Sequence, residues 1–194
     1  QFSPNGDAVL TASIFEGTAR IWDTHSGLAL TQPLRHVAGV NVAQFSPDGT
    51  RIITASSDST ARVWDVATGK ETATLSGHQR AVSIANFSPD GSRIVTASAD
   101  NTACIWDAST GKLISTFQGH HAAIWRAHFS PDGLRIYGSG IVSSRTESVY
   151  CLESPVPNRI AFDLLRIMQT DYRIDDLQAV YFVIDDFQQL FDAT

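Results

Sequence analysis

The sequence predicts a mainly β protein. About three four-stranded blades form an incomplete β-propeller set as an open arc, and a small α+β fragment follows. Three observations predict it. Phe2-Ser3-Pro4-Asn5-Gly6 returns as Phe45 to Gly49, Phe87 to Gly91 and Phe129 to Gly133, in steps of 43, 42 and 42 residues. Trp22-Asp23, Trp64-Asp65 and Trp106-Asp107 recur at 42 and 42. After Gly133 both markers stop. A period of this length signals a stack of small units, each unable to bury its faces alone.

Within one unit the strands read in order. Residues 81–87 form a first run, 93–98 a second, 102–106 a third and 113–117 a fourth. Ser-Pro-Asp-Gly joins the first two. Proline presets φ at the first corner of a type I turn, and glycine takes the positive φ on leaving it. Val66-Ala67-Thr68-Gly69-Lys70 and Ala108-Ser109-Thr110-Gly111-Lys112 turn the third strand into the fourth. The units fall near 1–35, 36–77 and 78–119, and residues 120–133 supply a fourth first strand. Pairing 124–129 back onto the first unit would make a three-bladed ring. Propellers carry about four to eight blades, so an open arc is expected.

Bulk composition bounds the function. With 43% hydrophobic and 18% charged residues, the 194-residue chain is globular rather than disordered. A net charge of −6 gives no electrostatic attraction to nucleic acid or to an anionic membrane surface. Cys104 and Cys151 are too few for a disulfide framework and read as free thiols. The chain starts at Gln1 without a signal peptide and reads as cut at its start. The expected localisation is cytoplasmic.

Four recurrent features together resemble the WD40 repeat family over residues 1 to about 133. They are the Gly77-His78 and Gly119-His120 pairs, the Ser-Pro-Asp-Gly turns, the Asp58 and Asp100 turns, and the Trp-Asp ends. The resemblance implies that a histidine before the first strand bonds the aspartate of a tight turn, with a Thr and the tryptophan completing the set. The spacing fits twice, as His36, Thr54, Asp58, Trp64 and as His78, Thr96, Asp100, Trp106. A buried carboxylate and imidazole are costly unless each finds a partner. These sets look like catalytic triads, but repetition in successive units points to a structural brace. The first unit has Glu16 in place of the aspartate, and the fourth has Val142 where a carboxylate would stand. The family binds proteins through its loops. Phe15, Ser57 and Ala99, beside the turn carboxylates, and Arg80 and Trp125, at first strands, are the expected binding residues. An open blade edge is a second expected contact for a protein partner.

From about Leu134 the texture changes. Residues 163–169 read as a short helix, 179–184 as a strand, and Asp185-Asp186 as an N-cap followed by a Phe187, Leu190, Phe191 face. "RIYGSGIVSS" (135–144), "ESVYCLES" (147–154), "FDLLRIMQTDYRID" (162–175) and "LQAVYFVIDDFQQLF" (177–191) carry a second likeness. They resemble the pterin-dependent aromatic amino acid hydroxylases, most closely the bacterial phenylalanine 4-monooxygenase type. That family uses Fe(II) and tetrahydropterin. The resemblance implies that Ser143 would hydrogen-bond an iron-ligating histidine and that Tyr172 would lie on a substrate loop. It also implies that the iron ligands precede the retained segment. Two histidines and a carboxylate are needed, and no His-Glu…His pair of the family's type is present. Adjacent His120 and His121 are poorly suited to converge on one ion. No metal, no cofactor and no catalysis are therefore expected of this chain. The expected function is a protein-interaction scaffold fragment fused to a hydroxylase-like tail. The alternatives are a hydroxylase, or a chimera of two pieces without a selected function.

Overall fold

The computed structural model describes the backbone of residues 1–142 and 145–151 and the side chains of residues 1–138. Gln1–Cys151 forms one compact unit. Among the described residues every regular element is a strand. The predicted helix at 163–169, strand at 179–184 and N-cap at Asp185-Asp186, together with the α+β fragment they compose, lie outside the described residues. So do Ser143 and Tyr172.

Four antiparallel sheets follow one another along the chain. The first holds β1 (Ala8–Ser13), β2 (Thr18–Asp23) and the short β3 (Leu34–Arg35). The second holds β4 (Val40–Phe45), β5 (Arg51–Ser56), β6 (Thr60–Asp65) and β7 (Glu71–Ser76). The third holds β8 (Val82–Phe87), β9 (Arg93–Ser98), β10 (Ala103–Asp107) and β11 (Leu113–Phe117). Each of the two complete sheets pairs its strands in chain order, as a meander. The predicted strands of the third unit match to within one residue.

Turn chemistry sets these boundaries. At Ser88-Pro89-Asp90-Gly91 the Gly91 amide donates to Ser88 O (2.8 Å), and Gly91 takes φ +70°. Ser88 Oγ donates to Asp90 Oδ1 (2.5 Å) and accepts from the Arg93 amide (2.9 Å). The serine is fully buried and fully partnered, so it fixes the register of β8 on β9. Gly49 repeats the arrangement with φ +72°.

Apolar residues alternate along each strand, and sheets stack face to face. Leu10, Ala19, Ile21 and Leu34 of the first sheet pack on Ile52 and Trp64 of the second. Ile53, Val63 and Leu75 then meet Ile94 and Trp106 of the third. Val95, Ala97 and Ile105 meet Ile124, Ala127 and Ile136 of the fourth. The second and third sheets are each covered on both faces by their neighbours, as expected for propeller blades. The arc is open: β12 (Ile124–Phe129) pairs with β13, not with the first sheet. The architecture is an incomplete propeller.

The fourth sheet is larger than the sequence pattern predicts. Residues 124–129 do form a first strand, and a second begins at Ile136. That second strand, β13 (Ile136–Val142), carries a third, β14 (Arg145–Cys151), through seven register pairs from Ile136↔Cys151 to Val142↔Arg145. The sheet therefore continues unbroken past residue 133. Strand pairing needs β-prone residues and backbone groups, not the Trp-Asp marker. Thr146, Val149 and Tyr150 supply that propensity.

Candidate functional site

The second and third sheets each hold one buried polar chain. Trp64 Nε1 donates to Thr54 Oγ1 (2.9 Å), and Thr54 Oγ1 lies 2.7 Å from His36 Nε2. His36 Nδ1 lies 2.9 Å from Asp58 Oδ2. The donors sort in one direction. The indole N–H donates to the hydroxyl, the hydroxyl donates to Nε2, and Nδ1–H donates to the carboxylate. This order requires a neutral imidazole protonated on Nδ1. Burial holds His36 below its usual range, against the opposing pull of Asp58.

The third sheet repeats the chain. Trp106 Nε1 donates to Thr96 Oγ1 (2.8 Å), which is 2.8 Å from His78 Nε2, and His78 Nδ1 is 3.0 Å from Asp100 Oδ2. Burial raises the pKa of both aspartates, but hydrogen bonds outweigh it. Thr60 and His36 bring Asp58 down to about 2. Thr102, the Gln79 amide and His78 bring Asp100 down to about 2. Thr54 and Thr96 are both 0% exposed. A hydroxyl sealed from solvent cannot attack a substrate, so the arrangement joins the loop before the first strand to the turn after the second.

The outer units depart from this in the ways their residues dictate. In the first, Trp22 Nε1 still donates to Thr11 Oγ1 (2.8 Å), but the pair is exposed. Glu16 accepts from Thr18 Oγ1 (3.2 Å) and lies 3.9 Å from Arg20. In the fourth, Val142 falls in β13 and no tryptophan follows.

These braces set the loop end of the arc. The Ser57 amide donates to Gly39 O (2.9 Å) and the Ala99 amide to Ala81 O (3.0 Å), tying each turn to the start of a first strand. Asn41 Nδ2 donates to Val82 O (2.8 Å), aligning neighbouring starts. Phe15 stands fully exposed on the β1–β2 turn, and Trp125 is 52% exposed at the start of β12. Arg80 and Ser57 are exposed, and Ala99 is half-buried. Sequence reasoning missed two neighbours of Phe15. Ile14 and Val37 are also exposed, Val37 at 90%, and the turn of Ile14 abuts Gly39 in the loop that carries Val37. Spacing alone does not mark them, because apolar residues normally signal a core.

Sequence reasoning also missed the inter-sheet arginines. Arg51 Nη2 donates to Gly91 O (2.8 Å) and Nη1 to Ala108 O (3.1 Å), with its guanidinium 5.2 Å from the Phe87 ring. Arg93 Nη2 donates to Gly133 O (2.6 Å), 5.3 Å from the Phe129 ring. Their 42-residue spacing was the available signal. Cys104 is a buried free thiol whose pKa burial raises. The Cys151 side chain lies outside the described residues.

The stacked four-stranded sheets, the Ser-Pro-Asp-Gly turns and the His-Asp braces define a repeat protein of the propeller class. Residues 30–65 and 69–107 match the family model for "WD domain, G-beta repeat". Residues 127–193 match the model for "Biopterin-dependent aromatic amino acid hydroxylase". The chain thus matches the WD40 repeat model within residues 30–107 and a hydroxylase model over residues 127–193. That segment is 68% identical over 59 residues to phenylalanine-4-hydroxylase of Chromobacterium violaceum, covering 30% of this chain and 20% of the relative. It is 70% identical over 59 residues to the enzyme of that name from Ralstonia nicotianae, again 30% of this chain and 19% of the relative. The Caulobacter vibrioides protein is 66% identical over 59 residues, with shares of 30% and 20%. The chain spans about a fifth of the length of these relatives.

The hydroxylase-like match begins at Ala127, inside β12. Strands β13 and β14 therefore consist wholly of residues from that match. Its family uses Fe(II) and a tetrahydropterin. Among the described residues no three His, Cys, Asp or Glu side chains are grouped to hold a metal ion. The described residues do not supply the donor set of such an iron site. No helix among them is long and apolar enough to cross a membrane.

Proposed function

We propose that the repeat region is a protein-interaction module that works through its loop end. One observation carries this reading. Ile14, Phe15 and Val37 are exposed apolar side chains on adjoining loops, and the loop of Val37 is braced from beneath by the His36–Asp58 hydrogen bond. Trp125 and Arg80, at neighbouring strand starts, supply the aromatic and cationic anchors that dominate many interfaces. Ser57 and Ala99, on the turns after the second strands, complete the proposed set. The partner is a protein, and neither nucleic acid nor a membrane fits the net charge of −6. A cytoplasmic location accords with the buried free thiol. Our reading sets the boundary between the two sequence patterns at about 133/134, a few residues after the hydroxylase-like match begins at 127 and inside the fourth sheet.

Affinity capture with the whole chain, compared with Phe15→Ser and Trp125→Ala, tests the assignment. Loss of a central aromatic anchor weakens binding about 30-fold. Partners retained equally by all three proteins would remove these residues from the interface.

A second reading is favoured by the 59-residue match to phenylalanine-4-hydroxylase. The chain would then hydroxylate phenylalanine or complete an enzyme that does. We expect no tetrahydropterin-dependent tyrosine formation when the chain is supplied with Fe(II), because the retained segment is a fifth of the relatives' length. Turnover above the metal-free control would establish this second reading instead. A chimera of two pieces without a selected function is the remaining alternative, and it predicts no specific partner.

A further inference from the structure

We infer that Asn5 is a site of spontaneous deamidation, and that the product sets two carboxylates against each other across the first Ser-Pro turn. The repeat itself draws attention to the position. Asp48, Asp90 and Asp132 stand there in the later copies, and Asn5 alone carries an amide. Asn5-Gly6 is also the one Asn-Gly pair in the sequence. Glycine puts no Cβ beside its backbone nitrogen and moves freely in φ, so that nitrogen can reach the preceding side chain. Asn5 is exposed. Its counterparts Asp48 and Asp90 are exposed too, although their sheets are covered on both faces, so the exposure belongs to the turn.

The reaction needs only solvent. The Gly6 nitrogen attacks Asn5 Cγ and closes a succinimide ring. The Cγ–Nδ2 bond breaks, and the proton given up by the Gly6 nitrogen leaves with Nδ2 as ammonia. Water then opens the ring. Entry at Cγ gives an aspartate, and entry at the backbone carbonyl carbon gives an isoaspartate. Ser3 Oγ donates to Asn5 Oδ1 (2.7 Å), the oxygen on which negative charge gathers during the attack. The Gly6 amide donates to Ser3 O (2.9 Å), and this bond opens first.

The surrounding residues make the change consequential. In the second and third sheets the turn carboxylate faces a hydroxyl donor two residues on. Thr50 Oγ1 donates to Asp48 Oδ2 (2.9 Å), and Ser92 Oγ to Asp90 Oδ2 (2.7 Å). The first turn reverses the polarity. Asn5 Nδ2 is the donor, and Asp7 Oδ2 accepts at 2.9 Å. Deamidation removes the donor and leaves the acceptor, so two carboxylates meet where one hydrogen bond stood. The turn also anchors β1, because the Ala8 amide donates to Ser3 Oγ (2.9 Å) and the Ser3 amide to Ala8 O (2.8 Å). The conversion is thus an irreversible, enzyme-free charge change at the start of the first sheet.

Peptide mapping by mass spectrometry, after incubation of the whole chain in mildly alkaline buffer, tests the site. About half of residue 5 should convert to acid while Asn41, Asn86 and Asn101 stay intact, since Val42, Phe87 and Thr102 shield the attacking nitrogens that follow them. Asn5→Gln, which would need a larger ring, should stay unconverted over the same time. Thermal unfolding at neutral pH tests the consequence. Asn5→Asp should melt below the parent, and Asn5→Asp combined with Asp7→Asn, which restores one donor facing one acceptor, should recover. Conversion at residue 5 no faster than at the three other asparagines, or equal conversion of Asn5→Gln, would overturn the site. An Asn5→Asp variant that melts like the parent, or a double variant that melts no higher than Asn5→Asp, would overturn the clash of carboxylates.

Discussion

Trp106→Ala is expected to lower the unfolding free energy by about 3–5 kcal/mol, the range for deleting a large buried aromatic. Three losses act together. Trp106 is 2% exposed and sits in the core shared by the second and third sheets, so its removal leaves a cavity. Its indole N–H no longer donates to Thr96 Oγ1, which is fully buried. Its edge contact with His78, at 6.3 Å between ring centroids, also disappears. Trp22→Ala is the internal control. It removes the same residue type from the same place in the repeat, but Trp22 is only half-buried and its bond to Thr11 is exposed. Urea unfolding should show a large fall in midpoint for Trp106→Ala and a small one for Trp22→Ala. Equal falls would mean that burial between sheets is not what gives the tryptophan its weight.

Acid should unfold the repeat region in two windows, and the signs can be worked out group by group. His36 is held below its ordinary value of 6.5 by burial. The unfolded chain therefore takes up a proton that the folded chain resists, and stability declines as pH drops below about 6.5. The carboxylates act lower. Asp58 and Asp100 move from 3.8 to about 2 on folding, as do Asp48 and Asp90 through hydrogen bonds in their turns. A carboxyl depressed on folding stabilises at pH above its unfolded value. That contribution disappears as pH falls from about 4 to about 2. Melting temperature should thus decline gently from pH 6.5 to 4 and steeply below 4. Asn at 58 and 100 can still accept from the imidazole and the amides but does not titrate. The Asp58→Asn, Asp100→Asn double variant should show a shallower lower limb. A limb as steep as the parent's would place the acid sensitivity elsewhere.

Much of this was legible in the sequence because the information is local. Ser-Pro-Asp-Gly encodes a turn within four residues, and around its copy at 88–91 the expected strand limits hold to within one residue. The braces were legible for a related reason: His78 and Asp100 are far apart in sequence but recur at a constant separation shared with His36 and Asp58. What depends on long-range packing was not legible. The arginine clamps join residues about forty positions apart, and a surface arginine carries no local mark of its partner. Val37 and Ile14 were missed because their exposure is set by the loops around them, not by their hydropathy. The β14 strand was missed because the markers that announce a third strand are side chains, whereas the strand forms by backbone pairing with β13.

That strand has a consequence for how such chains arise. The free edge of β12 offers a row of amides and carbonyls that do not discriminate among incoming sequences. Residues that match a hydroxylase family model pair there in register, without the repeat's own signature. Recombination at a blade's first hairpin therefore does not have to preserve the signature to preserve the sheet. It has only to deliver two short alternating stretches joined by a turn. A propeller rim is in this sense a grafting point, where gene rearrangement can append foreign coding sequence and still leave a folded product for selection to act on.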